Sequence, residues 1–281
     1  MGQDFKDKTV IITGCSEGVG AATARLFAEQ GANLVLVARR KRNLEKIAEE
    51  LRSKTRVEII AMDVSDADAC ANIYKKAEFE FGSVNVLVNN AGYHERGPVE
   101  SVSVDDMAAM IDVNLKAPIC LSKLAIKYLK EAGGGAIINV GSLAGRTPVP
   151  GAATYSATKF GLRAFTYALG AELKDSNIKL AVVSPGTIMT SFITSNFDAV
   201  ADVNFSQPIV TAEDVAQEIV NLVTSKKTET ALPAISGVLT TAGNLFPWLW
   251  RLLFPLLSRK GRRVKRKLKA QMRQAEEKQG T

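Results

Sequence analysis

The stretch TVIITGCSEGVG, residues 9–20, decides the fold because an apolar run is followed at once by three glycines. The run TVIIT is β-branched throughout, which is typical of a strand buried on both faces of a parallel sheet. The glycines at positions 14, 18 and 20 lead into a segment with the composition of a helix. Such a turn between strand and helix predicts a site for the pyrophosphate of a dinucleotide; a plain strand-to-helix turn is the alternative.

Similar apolar runs recur along the chain and alternate with segments long enough to be helices. The predicted strands cover residues 9–13, 33–38, 56–62, 84–89, 135–140 and 178–184, and the predicted helices cover 18–30, 41–53, 66–81, 112–131 and 152–176. This alternation predicts an α/β fold with a single Rossmann-like doubly wound parallel sheet flanked by helices. Ligands of such a sheet bind beyond the carboxyl ends of its strands.

Composition excludes several classes of protein. The chain has 281 residues, of which 46% are hydrophobic and 23% are charged, as in a soluble globular domain. Cys15, Cys70 and Cys120 are widely spaced, so neither a disulfide framework nor a zinc site is expected. His94 is the single histidine, and we expect no metal site. Residues 1–13 lack a secretory signal, which predicts an intracellular protein.

The positive charge of the chain is concentrated in its C-terminal segment. The formal net charge is +7, and the segment from Arg251 to Thr281 contributes +9, so the preceding residues carry −2. The body of the protein is therefore close to neutral, and we expect no broad surface for DNA or RNA on it.

The residues around the second predicted strand indicate which dinucleotide binds. NAD-binding proteins place an acidic residue at its end, whereas this chain has Ala38, Arg39 and Arg40. A guanidinium forms forked hydrogen bonds to phosphate, so Arg39, with Arg40 as second candidate, predicts NADP(H). A solvated basic helix start is the alternative. Glu17 is unfavourable beside a phosphate, and Ser16 is a candidate to assist Arg39.

Further motifs occur in a definite order. They are TGCSEGVG (13–20), NNAG (89–92), DVN ending at Asn114, Ser142 placed 13 residues before Tyr155, YSATK (155–159) and SPG (184–186). Together they resemble the short-chain dehydrogenase/reductase family over roughly residues 7–235.

The resemblance implies a catalytic set of Asn114, Ser142, Tyr155 and Lys159. Tyr155 is then the general acid and base at the carbonyl oxygen, and Lys159, one helical turn away, stabilises its phenolate and binds the nicotinamide ribose. Ser142 holds the substrate oxygen, and Asn114 completes a water-linked proton relay. Each also has a structural alternative: a turn cap for Ser142, a backbone contact for Asn114 and a solvated surface position for Lys159.

The resemblance also implies a set of cofactor contacts at the ends of the strands. Asp63 meets the adenine, Asn89 with Ala91 and Gly92 lines the adenosine, and Ile188 meets the carboxamide. The whole set is Gly14, Ser16, Gly18, Val19, Gly20, Arg39, Arg40, Asp63, Asn89, Ala91, Gly92, Tyr155, Lys159, Pro185, Gly186, Ile188 and Thr190.

The C-terminal segment has a different character, so we divide the chain into a catalytic domain, 1–235, and an apolar and basic extension, 236–281. Residues 245–257 are aromatic and aliphatic, and the 15 residues 259–273 contain nine Lys and Arg. This pattern predicts an anchor that lies on the surface of an anionic membrane, at its cytoplasmic face. A substrate lid, a dimer surface and a disordered tail that contacts RNA remain alternatives.

These observations predict an NADPH-dependent carbonyl reductase or alcohol dehydrogenase that acts on an apolar, lipid-like ketone or aldehyde. A non-catalytic NADP(H)-binding sensor or scaffold at a membrane surface is the alternative. Members of the family commonly form homodimers or homotetramers through the helices at 112–131 and 152–176, although an extended C-terminus can block such assemblies.

Overall fold

A parallel sheet forms the centre of the protein, as predicted. The computed structural model describes residues 5–279, with side chains described through residue 274. Its strands are β1 (Thr9–Thr13), β2 (Asn33–Ala38), β3 (Val57–Ala61), β4 (Val86–Asn89), β5 (Gly135–Val140), β6 (Ile178–Pro185) and β7 (Glu229–Leu232). Within that range they form one seven-stranded sheet in the order β3-β2-β1-β4-β5-β6-β7. The order reverses between β1 and β4, where a doubly wound sheet opens a crevice for a ligand.

Helices cover both faces of the sheet. They are α1 (Gly18–Glu29), α2 (Lys41–Leu51), α3 (Ala67–Phe81), α4 (Val104–Ile111), α5 (Ala117–Glu131), α6 (Ala153–Glu172), α7 (Ser191–Thr194), α8 (Ala212–Thr224), α9 (Ala234–Leu245) and α10 (Pro247–Gln279). Phe27 of α1 and Ile219 of α8 are buried against one face, and Tyr74 of α3 and Leu121 of α5 against the other. Each such side chain stabilises the fold by about 1.5–3 kcal/mol. The predicted doubly wound α/β fold is confirmed.

The segment that contains Asn114 differs from the prediction. One helix is expected over 112–131, whereas the chain is already helical after Ser103, whose Oγ accepts a hydrogen bond from the Asp106 backbone N–H at 3.0 Å. A π-helical turn, Asp112–Lys116, then joins α4 to α5. A π turn inserts one residue into a helix and thereby changes the direction of nearby side chains, often at a functional site.

The C-terminal segment forms two helices that continue from the sheet. Residue 235 lies in the first turn of α9, so the boundary between 1–235 and 236–281 falls inside a helix, and this division stays a prediction. α10 continues through Pro255, which lies inside the helix. Among residues 5–279, no helix is both long and apolar enough to cross a membrane. The expectations about the N-terminus and the last residues depend partly on 1–4 and 280–281, which lie outside the described residues.

One face of α10 packs against the segment that follows β6. Phe197 and Phe205 form a buried apolar cluster there, and three side chains of α10 pack against it: Val264, Leu268 and Met272. Any side chain at Gly261 would collide with the backbone oxygen of Asp202, so only glycine lets the helix come this close.

Three cations of the basic run also bind this segment. Lys269 contacts the Asp198 carboxylate at 2.6 Å and Arg262 contacts the Asp202 carboxylate at 2.8 Å. Lys265 Nζ donates to the backbone oxygens of Asp198 and Val200 at 2.8 and 2.5 Å. The basic run is therefore helical rather than disordered, and part of its charge holds α10 on the body of the protein.

Candidate active site

The four predicted catalytic residues lie at the carboxyl end of the sheet. Ser142 follows β5, and its side chain accepts a hydrogen bond from the Ala144 backbone N–H at 3.1 Å. Tyr155 and Lys159 lie in the first turns of α6, and Asn114 lies in the π-helical turn. The turn cap suggested as an alternative for Ser142 is present, and its hydroxyl also bonds to Tyr155.

Tyr155 is surrounded by rings and by one cation. Its ring stacks on His94 with centroids 4.3 Å apart and lies 6.2 Å from the Phe192 ring. Burial raises the pKa of Tyr155, while the hydrogen bond with Ser142 and the charge of Arg96 act to lower it. Because burial dominates, the phenol keeps its proton at neutral pH, and that is the form that can donate to a carbonyl oxygen.

Lys159 is a buried cation beside this phenol. Its side chain is 5% exposed, which excludes the solvated surface position considered above. Nζ donates to the Val140 backbone oxygen at 2.8 Å and lies 5.8 Å from the centre of the Tyr155 ring. Burial lowers the pKa of Lys159 to about 8. An ammonium has three donors, so Lys159 can bind further acceptors in the site.

Asn114 joins the π-helical turn to the loop after β4. Its Oδ1 accepts from the Tyr93 backbone N–H at 3.0 Å, and its Nδ2 donates to the Tyr93 oxygen at 2.8 Å. The backbone contact considered as its alternative role is therefore present. A Cβ at Gly92 would lie 3.0 Å from Asn114 Oδ1 and 3.6 Å from Lys159 Nζ, so both groups border the same small space. Oδ1 has a second lone pair for a water or a hydroxyl there.

The glycine-rich turn fits a dinucleotide. Gly14 has a φ of +67°, and a Cβ there would lie 2.7 Å from Ala91 Cα, so the turn requires glycine. The Glu17 side chain makes no capping hydrogen bond, and the first turn of α1 has no acidic residue. The backbone N–H groups of that turn can therefore face a pyrophosphate.

The cations after β2 are exposed and only loosely paired. Arg39 lies 3.7 Å from the Asp63 carboxylate, and its side chain is 66% exposed. Arg40 lies 3.9 Å from Glu17, so the carboxylate that seemed unfavourable for a phosphate has a cation beside it. Exposed pairs of this kind contribute about 0–1 kcal/mol, which leaves both guanidinium groups available to a phosphate.

Thr190 completes one wall of the predicted cofactor groove. A Cβ at Gly18 would lie 3.4 Å from the Thr190 methyl carbon, and a cavity of about 440 Å³ opens between the turn and the segment after β6. The remaining predicted contacts occupy the glycine-rich turn and the ends of β4 and β6: Ser16, Val19, Gly20, Ala91, Gly92, Pro185, Gly186 and Ile188.

Asn89 points away from this groove, and its neighbour holds the turn instead. The Asn89 amide is buried and donates to Asn139 Oδ1 at 2.9 Å and to Ser122 Oγ at 3.2 Å. Asn90 Nδ2 donates to the backbone oxygens of Thr13 and Gly14 at 2.9 and 3.0 Å. Sequence reasoning missed Asn90, although it is the second asparagine of the NNAG motif.

Sequence reasoning also missed two site residues in the loop after β4, His94 and Arg96. Burial lowers the pKa of His94 to about 3, with the charge of Arg96 as a smaller cause. The His94 imidazole that stacks on Tyr155 is therefore neutral. Arg96 Nη2 donates to the Phe192 backbone oxygen at 2.9 Å, and the guanidinium lies 5.2 Å from the Phe192 ring centre. Their position could have indicated them, because loops that follow the strands of such a sheet border its ligand site.

A buried carboxylate supports α6 from the edge of the sheet. Glu229 begins β7, and its side chain is 7% exposed. It contacts Arg146 at 2.5 Å and Arg163 at 2.9 Å, and it accepts from Ser184 Oγ at 2.9 Å and Tyr167 Oη at 2.8 Å. These partners hold the pKa of Glu229 below its usual range although burial acts to raise it. The cluster joins the helix that carries Tyr155 to β6, β7 and the turn after Ser142.

The chain is similar to several known oxidoreductases. The sequence model of the short chain dehydrogenase family matches residues 8–201. Sulfoacetaldehyde reductase 2 of Chromohalobacter salexigens is 37% identical over 216 residues, which cover 75% of this chain and 86% of that protein. An uncharacterized oxidoreductase of Staphylococcus saprophyticus is 37% identical over 208 residues, covering 73% of this chain and 82% of that protein.

Solved structures agree with this family. A metagenomic short-chain oxidoreductase in complex with NADP has a TM-score of 0.70 and 31% identity, covering 82% of this chain and 97% of that chain. A short-chain type dehydrogenase/reductase from Mycobacterium marinum has a TM-score of 0.76 at 24% identity, covering 81% and 94%, and this likeness bears on the fold. The resemblance seen in the motifs is confirmed: the chain belongs to the short-chain dehydrogenase family and is a short-chain oxidoreductase.

Proposed function

We propose that the protein is an NADP(H)-dependent carbonyl reductase or alcohol dehydrogenase that acts on an apolar, lipid-like ketone or aldehyde at a membrane surface. The observation that carries the reaction is the group of Tyr155, Ser142 and buried Lys159 beside a turn that fits a dinucleotide. The NADP-bound structural relative and the exposed Arg39 support NADP(H), and the relative that reduces an aldehyde supports carbonyl chemistry.

The mechanism follows from the protonation of the side chains. The nicotinamide, when bound, supplies or accepts the hydride. Tyr155 donates its phenol proton to the carbonyl oxygen, and the Ser142 hydroxyl, which bonds to Tyr155, also holds that oxygen. The phenolate that remains is stabilised by Ser142 and by the nearby charges of Arg96 and Lys159. In the reverse direction the phenolate accepts the proton of the alcohol.

The surroundings of Tyr155 support an apolar substrate. The neutral His94 ring and Phe192 lie against its ring. A cavity of about 10 Å³, roughly enough for one water, reaches Tyr155; its lining includes the apolar Val99, Val102, Met107 and Met110, and also Glu95 and Thr154.

Arg39 provides the test of the cofactor. We expect Arg39→Asp to lower kcat/KM for NADPH by roughly 10-fold or more and to raise the preference for NADH, because the new carboxylate repels a phosphate and binds ribose hydroxyls. The measurement is the ratio of kcat/KM for the two cofactors. Arg52→Asp, an exposed change at the far end of α2, is the control and should leave this ratio unchanged. An unchanged ratio in Arg39→Asp would contradict the assignment.

The outer face of α10 supports contact with an anionic membrane. A helix turns about 100° per residue, so Trp248, Leu252 and Leu256 share one face with Arg259 and Arg263. All five are exposed, whereas the opposite face packs on the body of the protein. An exposed stripe that changes from apolar to cationic matches an interface in which apolar side chains enter the lipid and cations meet the headgroups. Anionic lipid is concentrated in the cytoplasmic leaflet, so we assign the protein to that face.

Charge removal on this face tests the membrane contact. We expect Arg259, Arg263 and Lys267 changed together to Gln to weaken binding to anionic vesicles by roughly 100-fold, because each cation near such a surface contributes about 1 kcal/mol. Vesicle flotation measures the bound fraction. The matched control changes to Gln three exposed cations in and just after α2, namely Arg42, Lys46 and Arg52. Equal flotation of the outer-face variant and the unchanged protein would contradict the proposal.

The activity itself is tested by NADPH consumption and product mass spectrometry with ketones and aldehydes of increasing chain length in anionic liposomes. Activity that rises with chain length supports a lipid-phase substrate. Tight NADPH binding without any turnover would favour the non-catalytic sensor. The homodimer or homotetramer suggested by the family stays a prediction, which the sedimentation of the protein would test.

A further inference from the structure

Arg96 is a half-buried cation, without a carboxylate in direct contact, near the reacting group of the proposed reductase. Its guanidinium reaches the Phe192 backbone oxygen at 2.9 Å and lies over the Phe192 ring, which in turn contacts Tyr155. The charge of Arg96 acts on the Tyr155 phenol, and Tyr155 acts on Arg96. A group held by Arg96 would therefore lie close to the oxygen that Tyr155 protonates.

The hydrogen-bonding capacity of this guanidinium is only partly used. Nε of Arg96 is buried and has no hydrogen-bond partner within the described part of the chain. The same part of the chain places no carboxylate within ion-pair distance of Arg96, although the charge of Glu95, which is exposed, acts on it from a greater distance. Burial lowers the pKa of Arg96 by disfavouring its charged form. A buried N–H without an acceptor is costly, and proteins usually supply a partner for it.

We propose that Arg96 binds an anionic group of the substrate, so that the substrate of the proposed reductase is a carbonyl compound with a carboxylate, sulfonate or phosphate near its reacting carbon. The inference rests on the proposed function, because it places the carbonyl oxygen at Tyr155 and Ser142. A guanidinium forms forked, charge-assisted hydrogen bonds to such oxyanions, and Nε is one arm of that fork. Together with the apolar lining, this describes an amphipathic substrate.

A purely structural role of Arg96 makes a different prediction. The bond to the Phe192 oxygen joins the loop after β4 to the segment after β6. Loss of this contact would loosen the site for every substrate alike, and loss of the Arg96 charge would shift the pKa of Tyr155 for every substrate alike. The ratio of kcat/KM between an anionic substrate and its neutral analogue removes both effects.

The experiment measures this ratio with NADPH for two matched pairs: succinic semialdehyde against its methyl ester, and dihydroxyacetone phosphate against dihydroxyacetone. We expect the unchanged protein to prefer the anionic member of at least one pair, and the pair preferred identifies a carboxylate or a phosphate. Arg96→Met should lower that preference by roughly 10- to 100-fold, the effect of losing a hydrogen bond to a charged group. Arg96→Lys keeps the charge without the forked hydrogen bonds and should lower the preference for the anion less than Arg96→Met does. If Arg96→Met does not fold, Arg96→Lys provides the test.

The outcomes separate this inference from the proposed function. Arg52→Met, at an exposed arginine just after α2, is the control and should leave the preference unchanged. Turnover of all four compounds with no preference for the anions, or equal losses on both members of a pair in the Arg96 variants, would overturn the inference and leave the carbonyl reductase intact. No turnover of any carbonyl compound would overturn both.

Discussion

Replacing Tyr155 with phenylalanine is expected to lower kcat by about 10²–10⁴-fold, the range for removal of a positioned general acid. The variant keeps the ring that stacks on His94 and contacts Phe192, and it loses only the hydroxyl that bonds to Ser142. The pocket should therefore keep its shape, and the dissociation constant of NADPH should change little. Steady-state kinetics with the best carbonyl substrate and fluorescence titration with NADPH measure the two quantities.

Tyr167→Phe is the matched control for this change. Tyr167 lies on the same helix and its hydroxyl also makes a hydrogen bond, to Glu229 at 2.8 Å, but its side chain is 42% exposed. Its loss should leave kcat within about twofold and cost about 0.5–1.5 kcal/mol of stability, the usual net contribution of one hydrogen bond. A Tyr155→Phe variant that kept more than roughly a tenth of kcat would refute the role of the phenol as proton donor.

The fold was predictable because its signal is local and repeated. The buried strands are short runs rich in β-branched and aliphatic residues, and β1, β2 and β5 begin and end where the sequence indicates. The predicted elements did not include α4, α8 or β7. The helix α4 was missed because its short apolar stretch carries a weak pattern and its start depends on the Ser103 cap. A π-helical turn has no sequence signal of its own, so the break before α5 could not be predicted.

The catalytic set was predictable for a different reason: its members occur in fixed motifs. Arg96 and His94 belong to no motif, and their burial beside Tyr155 depends on contacts between the loop after β4 and Phe192, far away in sequence. Asn89 shows the reverse case, since its motif matches while its side chain points into the core. Motifs indicate which residues are near a site, and only the folded chain shows which way they point.

Composition alone does not separate the two groups of cations in α10, those that bind the body of the protein and those that are exposed. The basic run was treated as one patch, yet Lys265 and Lys269 bind the segment after β6 whereas Arg259 and Arg263 are exposed. Helical periodicity separates the two groups, because residues four apart lie on one face. The alternatives of a lid and a membrane surface are therefore compatible, as they use opposite faces of α10.

Removing the charge of Glu229 is expected to cost about 3–5 kcal/mol of folding free energy, the usual cost of leaving a buried ion pair without one partner. In Glu229→Gln, Arg146 and Arg163 lose their carboxylate, and the side chain of Arg146 is only 14% exposed. Sequence reasoning gave no hint of this cluster, because it joins α6, β6, β7 and the turn after Ser142 across more than 80 residues of chain. Chemical denaturation, with the midpoint and the m-value fitted together, measures the loss.

Glu50→Gln is the matched control, since Glu50 also forms a forked pair with an arginine, Arg25, but with side chains 45% and 40% exposed. An exposed pair contributes about 0–1 kcal/mol, so Glu229→Gln should lose several times more folding free energy than Glu50→Gln, although both variants remove a carboxylate paired with arginine.

The pH dependence of the folding free energy gives an independent check of the role of Glu229. The pKa of Glu229 is lowered in the fold, so its contribution is full above the ordinary glutamate pKa and disappears as the pH falls through the native value. The difference between the unchanged protein and Glu229→Gln should therefore shrink in acid, and a difference that stayed constant with pH would show that lost packing, not lost charge, destabilises the variant.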